Sequence, residues 1–223
     1  MDIRVVQDNP ASCAADVHML LIMTGELGAS AQAIDERLGG AISEVIEAGD
    51  FDAKVGAAQV LYTRGAISAK RVMLVGLGDS DALTADTLRR AAATGVQKAR
   101  DFNVKQVAIV PISELAASIA AQAITEGATL GLYRYHGQKS SDVPEAVPET
   151  LNLLVDGDAT PYEEGIAQGL AFAQGAMLSR DLVNLPPNIA TPSYLAQQAQ
   201  QMAKDVGLSC GVLGRQRMAA LKM

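Results

Sequence analysis

With 223 residues and 49% hydrophobic side chains, the chain has ample material for a core, in one large domain or two small ones. A net charge of −7 disfavours a nucleic-acid surface, which needs a basic face. Two cysteines far apart, Cys13 and Cys210, form no C-x-x-C pair. They indicate neither a zinc site nor a disulfide framework, and fit idle thiols in a reducing compartment.

Residues 3–6 read as a short strand, and Val17–Met23 as a continuous apolar strand covered on both faces. The N-terminus lacks a basic region followed by an apolar run and a cleavage site. Residues 19–23 are too few to span a bilayer. A soluble cytoplasmic protein is the expectation. Residues 25–28 turn the chain. Ser30 is placed to cap a helix bearing Ile34, Leu38, Ile42 and Val45, with Gly39-Gly40 as a break. Residues 54–63 read as extended, in one or two pieces around Gly56.

Residues 71–77 read as a buried strand. Thr84 then caps the best helix, with Leu83 and Leu88 as a hydrophobic staple. Its stripe is Leu88, Ala92, Gly95, Ala99 and Phe102. A strand over 104–110 follows, then a helix capped by Ser113 and bearing Leu115, Ile119 and Ala123. Residues 138–149, with Ser140, Ser141, Pro144 and Pro148, read as an exposed loop, and 151–155 as a last strand. Alternation of strand and helix from Arg71 onward predicts an α/β fold with a mostly parallel sheet and helices on both faces. Ile166, Leu170, Ala173 and Met177 then repeat at helical spacing, as do Leu195, Ala199, Met202 and Val206. Pro186 and Pro187 separate these two helices, and Thr191-Pro192 opens the second. Residues 208–213 read as the start of a strand.

Candidate sites are few. Val75-Gly76-Leu77-Gly78 lies between a strand and a helix, where a dinucleotide fingerprint would sit. Asp81 stands in place of the third glycine and would repel pyrophosphate, which favours a plain turn. His18 and His136 have no second ligand at helical spacing and read as structural. Asp79, Asp81 and Asp86 precede or open a helix, where negative charge complements the dipole. Asp50-Phe51-Asp52 reads as a surface turn. Lys204, Arg215, Arg217 and Lys222 read as a solvated basic face. No G-x-S-x-G elbow is present.

The string Arg180-Asp181-Leu182-Val183-Asn184-Leu185-Pro186-Pro187-Asn188-Ile189-Ala190-Thr191-Pro192 is more specific than its helix-loop-helix pattern. It resembles the R-D-L-V-N-x-P-P-N-x-x-T-P block of the leucyl (cytosol) aminopeptidases. Val75–Gly78, Gly131-Leu132-Tyr133-Arg134-Tyr135 and the closing residues 217–223 agree with that family. The resemblance implies a macro-domain-like N-terminal domain over residues 1–160. Residues 161–223 would be a linker helix and the start of an incomplete second α/β domain, which is catalytic in the family. Arg180 and Asp181 would give structural support there.

The family removes N-terminal residues from peptides with two divalent ions, zinc, manganese or magnesium. Its members are hexamers, so a homo-oligomer is implied, with peptide substrates and no membrane. Its metal and catalytic residues sit in G-K-G-x-x-x-D-T-G-G and N-T-D-A-E-G-R stretches, absent from this sequence. No catalytic, cofactor-binding or metal-binding residue is therefore expected here, and no cofactor. Two hypotheses follow. One is an N-terminal portion of an aminopeptidase, inactive alone. The other is a free-standing binding or regulatory module of macro-like fold.

Overall fold

The structure is a computed structural model that describes residues 1–25, 27–135, 137 and 148–223. His136 and most of the 138–149 loop lie outside the described residues. The chain divides into two compact units. The first takes Met1–Arg134 and the return of the chain through Met177, and the second is chiefly Leu178–Met223.

The first unit is built on six strands: β1 (Asp2–Val6), β2 (Val17–Met23), β3 (Ala58–Tyr62), β4 (Arg71–Gly78), β5 (Gln106–Ile109) and β6 (Thr150–Leu154). They lie in the order β1-β6-β5-β2-β4-β3. All neighbours are parallel except β3, which pairs antiparallel with β4. The sheet is thus mixed and mostly parallel, as the alternation of elements predicts. β3 is shorter than the extended stretch read over 54–63. Ala53 and Gly56 take positive φ there, which ends regular pairing.

Side chains alternate across this sheet. Val17, Met19, Met73, Val75, Val107, Ile109, Leu151 and Leu153 enter one core cluster. Leu20, Ile22, Val72 and Leu74 enter another on the opposite face. The first face is covered by α3 (Ala85–Asp101), α4 (Ala117–Gly131) and the start of α5 (Thr160–Asn184). The second face is covered over β2 and β4 by α1 (Ala29–Arg37) and α2 (Ala41–Glu47), with Phe51 and Ile67.

Helix caps follow the local chemistry in part. Thr84 caps α3 as predicted, its Oγ1 accepting from the Thr87 N–H at 3.2 Å. Ser30 and Ser113 are not caps. α1 starts one residue before Ser30, with Gly28 as N-cap, and α4 starts from Ala116. The break at Gly39-Gly40 is real, and both residues have positive φ. Across it, the Asp35 carboxylate accepts from the Ile42 N–H at 2.7 Å and from the Ser43 hydroxyl at 2.5 Å. A residue of α1 thereby caps α2.

The α4 face differs from the predicted stripe. Ala120, Ala121, Ala123, Ile124 and Ala128 are fully buried, while Ile119 is 46% exposed. The reason is close backbone approach on both sides. A Cβ at Gly127 would overlap the Arg89 carbonyl of α3, and one at Gly131 would lie 2.9 Å from Ala93 Cα. On the other side, a Cβ at Gly165 of α5 would overlap the Ser118 carbonyl. One at Gly169 would lie 2.8 Å from the Gln122 carbonyl oxygen. Such spacing admits only small residues, so Ile119 turns out to solvent. Arg89 and Glu126 form an ion pair across the α3–α4 contact, and Gln122 donates to Glu126 at 2.7 Å.

Over β5 and β6 no described helix covers the second face. Cys13 and Ala15 cover Ala108 and Leu154 there. His18 lies on that face at 1% exposure. Its Nε2 donates to the Cys13 carbonyl at 3.1 Å, which leaves Nδ1 a buried acceptor with no partner among the described residues. Burial pushes the imidazole pKa down and outweighs the raising effects of the Cys13 carbonyl and Asp8.

Two outcomes are expected from this packing. Gly127→Ala and Gly165→Ala each lower stability by about 1–3 kcal/mol through overpacking. Gly175→Ala, where nothing lies within 4 Å of a Cβ, raises it by up to about 1 kcal/mol. Denaturant unfolding of the three variants checks the contrast. The second concerns pH. The His18 pKa is depressed in the fold, so the unfolded chain binds its proton first. Stability from this residue is full above the unfolded value of 6.5 and falls as pH drops through it. Melting temperature should therefore decline from pH 7 to 5.5, and His18→Gln should flatten that decline. An unchanged slope in the variant would refute the assignment.

Candidate functional site

Three places have the residues or the shape for function. The first is the turn after β4. Gly76 and Gly78 are not a phosphate cradle. A Cβ on Gly76 would overlap the backbone of Ala53 and Lys54, and Gly76 N–H donates to the Ala57 carbonyl at 3.0 Å. Gly78, at φ +79°, donates to the Ala53 carbonyl at 2.8 Å. Both glycines exist to let residues 53–57 lie on the strand. Asp79 accepts a hydrogen bond from the Thr24 hydroxyl, and Asp81 sits in a short 3-10 turn, Ser80–Ala82. At the α3 N-terminus beyond, the Thr84 side chain already takes the Thr87 amide. Asp86 lies in the first turn of α3, where its charge complements the dipole.

The second place is a crevice of about 190 Å³ at the carboxyl ends of β2 and β5. The chain leaves these adjacent parallel strands for opposite faces of the sheet, toward α1 and α4. Open α/β sheets bind ligands at such points. The floor is apolar, from Leu20, Leu21, Met23 and Ile112, with the Ser30 and Ser113 hydroxyls at the rim. Among the described lining residues, Glu114 is the titratable one. Sequence reading missed this crevice, because strand order is not written in local pattern. At the rim the Ser113 hydroxyl donates to the neighbouring Glu114 carboxylate in a long hydrogen bond of 3.4 Å.

The third is the segment that joins α5 to α6 (Pro192–Asp205). α5 ends at Asn184, and the two prolines begin a compact turn in which the Ile189 and Ala190 N–H groups donate to the Pro186 carbonyl at 2.9 and 3.0 Å. Thr191 caps α6 with Pro192 in its first turn, as predicted. Arg180 and Asp181 are exposed on α5. Beyond α6 lies α7 (Arg215–Ala220). The strand read over 208–213 is not formed. A strand needs a ladder partner for its N–H and C=O groups, and none of the described residues supplies one. Lys204, Arg215, Arg217 and Lys222 are all exposed. Lys204 and Arg217 stand in the last turns of their helices, where positive charge complements the dipole.

Other residues singled out in the sequence are structural. Asp50 and Asp52 are exposed, but Phe51 between them is buried among Ile34, Ile42 and Ile67 in the second core cluster. Cys13 is buried, with its thiol pKa raised by burial and by Asp8, while Cys210 is exposed. Among the described residues, no three His, Cys, Asp or Glu side chains gather as a metal-holding group. No described helix is long and apolar enough to cross a membrane.

Comparison with known proteins places these features. A profile described as "Cytosol aminopeptidase family, N-terminal domain" matches residues 20–142. A protein of Roseiflexus castenholzii named "Probable cytosol aminopeptidase" is 38% identical over 98% of this chain and 44% of its own length. One of the same name from Alkaliphilus oremlandii is 34% identical over all of this chain and 46% of its own. The chain thus spans less than half the length of these curated relatives. Among solved structures, a tomato leucine aminopeptidase mutant matches at a TM-score of 0.85 and 24% identity, over all of this chain and 46% of its own, and supports the fold. The bottromycin maturation enzyme BotP in complex with Mn matches at 0.70 and 29% identity, over 93% of this chain and 40% of its own. The profile match over most of the α/β sheet shows that this chain belongs to the cytosol aminopeptidase family.

Proposed function

We propose that this chain is the N-terminal portion of a cytoplasmic metallo-aminopeptidase and is inactive by itself. In this reading residues 1–160 are the N-terminal domain and residues 161–223 are the linker helix and the opening of the catalytic domain. The observation that carries it is coverage. The relatives align from end to end of this chain, yet 44% and 46% of their lengths suffice. The complete protein would hydrolyse N-terminal residues from peptides with two divalent ions, such as zinc, manganese or magnesium, and would assemble as a homo-oligomer. One solved relative is a complex with Mn. The described residues of this chain do not fit such a centre, since no set of carboxylates and other ligands converges among them. No step of metal chemistry is assigned to them.

The second unit supports the same reading. Val183 is 84% exposed, Val206 62% and Leu208 65%, and Val212, Leu213 and Leu221 are also exposed. Each large apolar side chain left in water forgoes about 1.5–3 kcal/mol of burial. Such a segment has the composition of an interior whose cover is a further part of an enzyme.

Two measurements test the proposal. Purified protein incubated with leucine p-nitroanilide and manganese or zinc should show background hydrolysis. Turnover that follows the protein through purification would contradict it. Hydrogen exchange should be slow through residues 71–110 and fast beyond about residue 185. Uniform strong protection to Leu213 in a monomer would instead favour a free-standing binding module.

A further inference from the structure

The crevice at the carboxyl ends of β2 and β5 joins surfaces of three different chemistries. Its floor is apolar, from Leu20, Leu21, Met23 and Ile112. One wall is the opening turn of α1, Gly28 to Ala31. Gly28 is the N-cap of that helix and has no side chain to accept a hydrogen bond. The first backbone bond of the helix runs from the Gln32 N–H to the Gly28 carbonyl at 2.9 Å. The N–H groups of Ala29, Ser30 and Ala31 therefore meet no acceptor among the described residues.

The other wall is Val110 to Glu114. Pro111 brings no N–H to it, and Glu114 brings a carboxylate. Among the described residues Glu114 forms no ion pair, and its contact with the Ser113 hydroxyl is long. The crevice thus has free donors on one wall, a negative charge on the other and hydrocarbon beneath. A simple anion that reached the amides would also meet Glu114. A hydrocarbon would leave the amides and the carboxylate unpaired, at a cost in desolvation. A small molecule with both charges and an apolar body matches all three surfaces. The volume of about 190 Å³ is below the roughly 300–1,000 Å³ of pockets for drug-sized ligands, which excludes a nucleotide.

We propose that this crevice binds a free α-amino acid with an aliphatic side chain. Its carboxylate accepts from the open amides of the first turn of α1, where the helix dipole favours negative charge. Its ammonium donates to the Glu114 carboxylate. Its side chain lies on Leu20, Leu21 and Ile112 and leaves water there. The ligand touches the two segments through which the chain leaves β2 and β5 for opposite faces of the sheet, and it ties them together. The site lies within the first unit and does not depend on the peptidase reading.

Calorimetric titration of the whole chain with L-leucine should show one saturable site. 4-Methylpentanoate lacks the ammonium and 3-methylbutylamine lacks the carboxylate, so each should bind roughly tenfold more weakly or worse. Glu114→Gln should weaken leucine roughly tenfold and leave 4-methylpentanoate no weaker, a split that general loosening of the fold would not give. Ala29→Pro removes one of the open N–H groups at the first helical position, which proline suits, and should weaken leucine and 4-methylpentanoate alike. Melting temperature checks that both variants stay folded. Amide shifts on leucine addition should centre on residues 28–31 and 110–114. No saturable binding at millimolar leucine, equal affinity for 4-methylpentanoate, or binding that survives both substitutions would overturn the proposal.

Discussion

The fold rests on how closely one helix can approach two others. α4 is held between α3 and α5 by backbone-to-backbone contacts that four glycines make possible, Gly127 and Gly131 on its own surface and Gly165 and Gly169 on α5. The alanines that fill these contacts are individually small, but none is exposed. The close approach brings the first turns of α5 onto the same layer as α3 and α4, so Ile166 joins the main cluster. The Arg89–Glu126 pair sits within this contact and fixes its register. Arg89 is partly open to solvent, while Glu126 is buried and also accepts from Gln122, so loss of Arg89 leaves a buried carboxylate with a neutral partner. The pair therefore specifies the arrangement more than it strengthens it.

The opposite face is organised by breaks. Gly39 and Gly40 divide one long amphipathic pattern into two helices, and Asp35 spends its carboxylate on the second helix start. Gly76 and Gly78 thin β4 so that residues 53–57 can cross it. Asp16 ties the lower edge together. Burial opposes its ionisation, but N–H groups of Gln106 and Lys105, with Lys70, outweigh that and hold its pKa below the usual value. Each of these residues serves the chain's own backbone.

The first unit closes a core around its sheet. The second leaves most of its large apolar side chains in water. Curated relatives align with both units, over 44% and 46% of their own lengths. Interaction surfaces are what the described residues offer: a crevice at the ends of β2 and β5 and an uncovered apolar segment.

Much of this was legible in the sequence. The apolar runs of β2 and β4, the Thr84 and Thr191 caps and the Gly39-Gly40 break are local, and local pattern reports them faithfully. The proline-rich string after Asn184 carried the family. Tertiary structure alone decided the rest. Ile119 faces solvent because neighbouring backbones are too near for it. Ser113 is not a cap because α4 begins where its packing begins. Residues 208–213 have strand composition but no ladder, because hydrogen-bond partners come from elsewhere in space and propensity cannot supply them. Strand order, and with it the crevice at the ends of β2 and β5, depends on which strands meet, and that is set by long-range burial that no window of sequence contains.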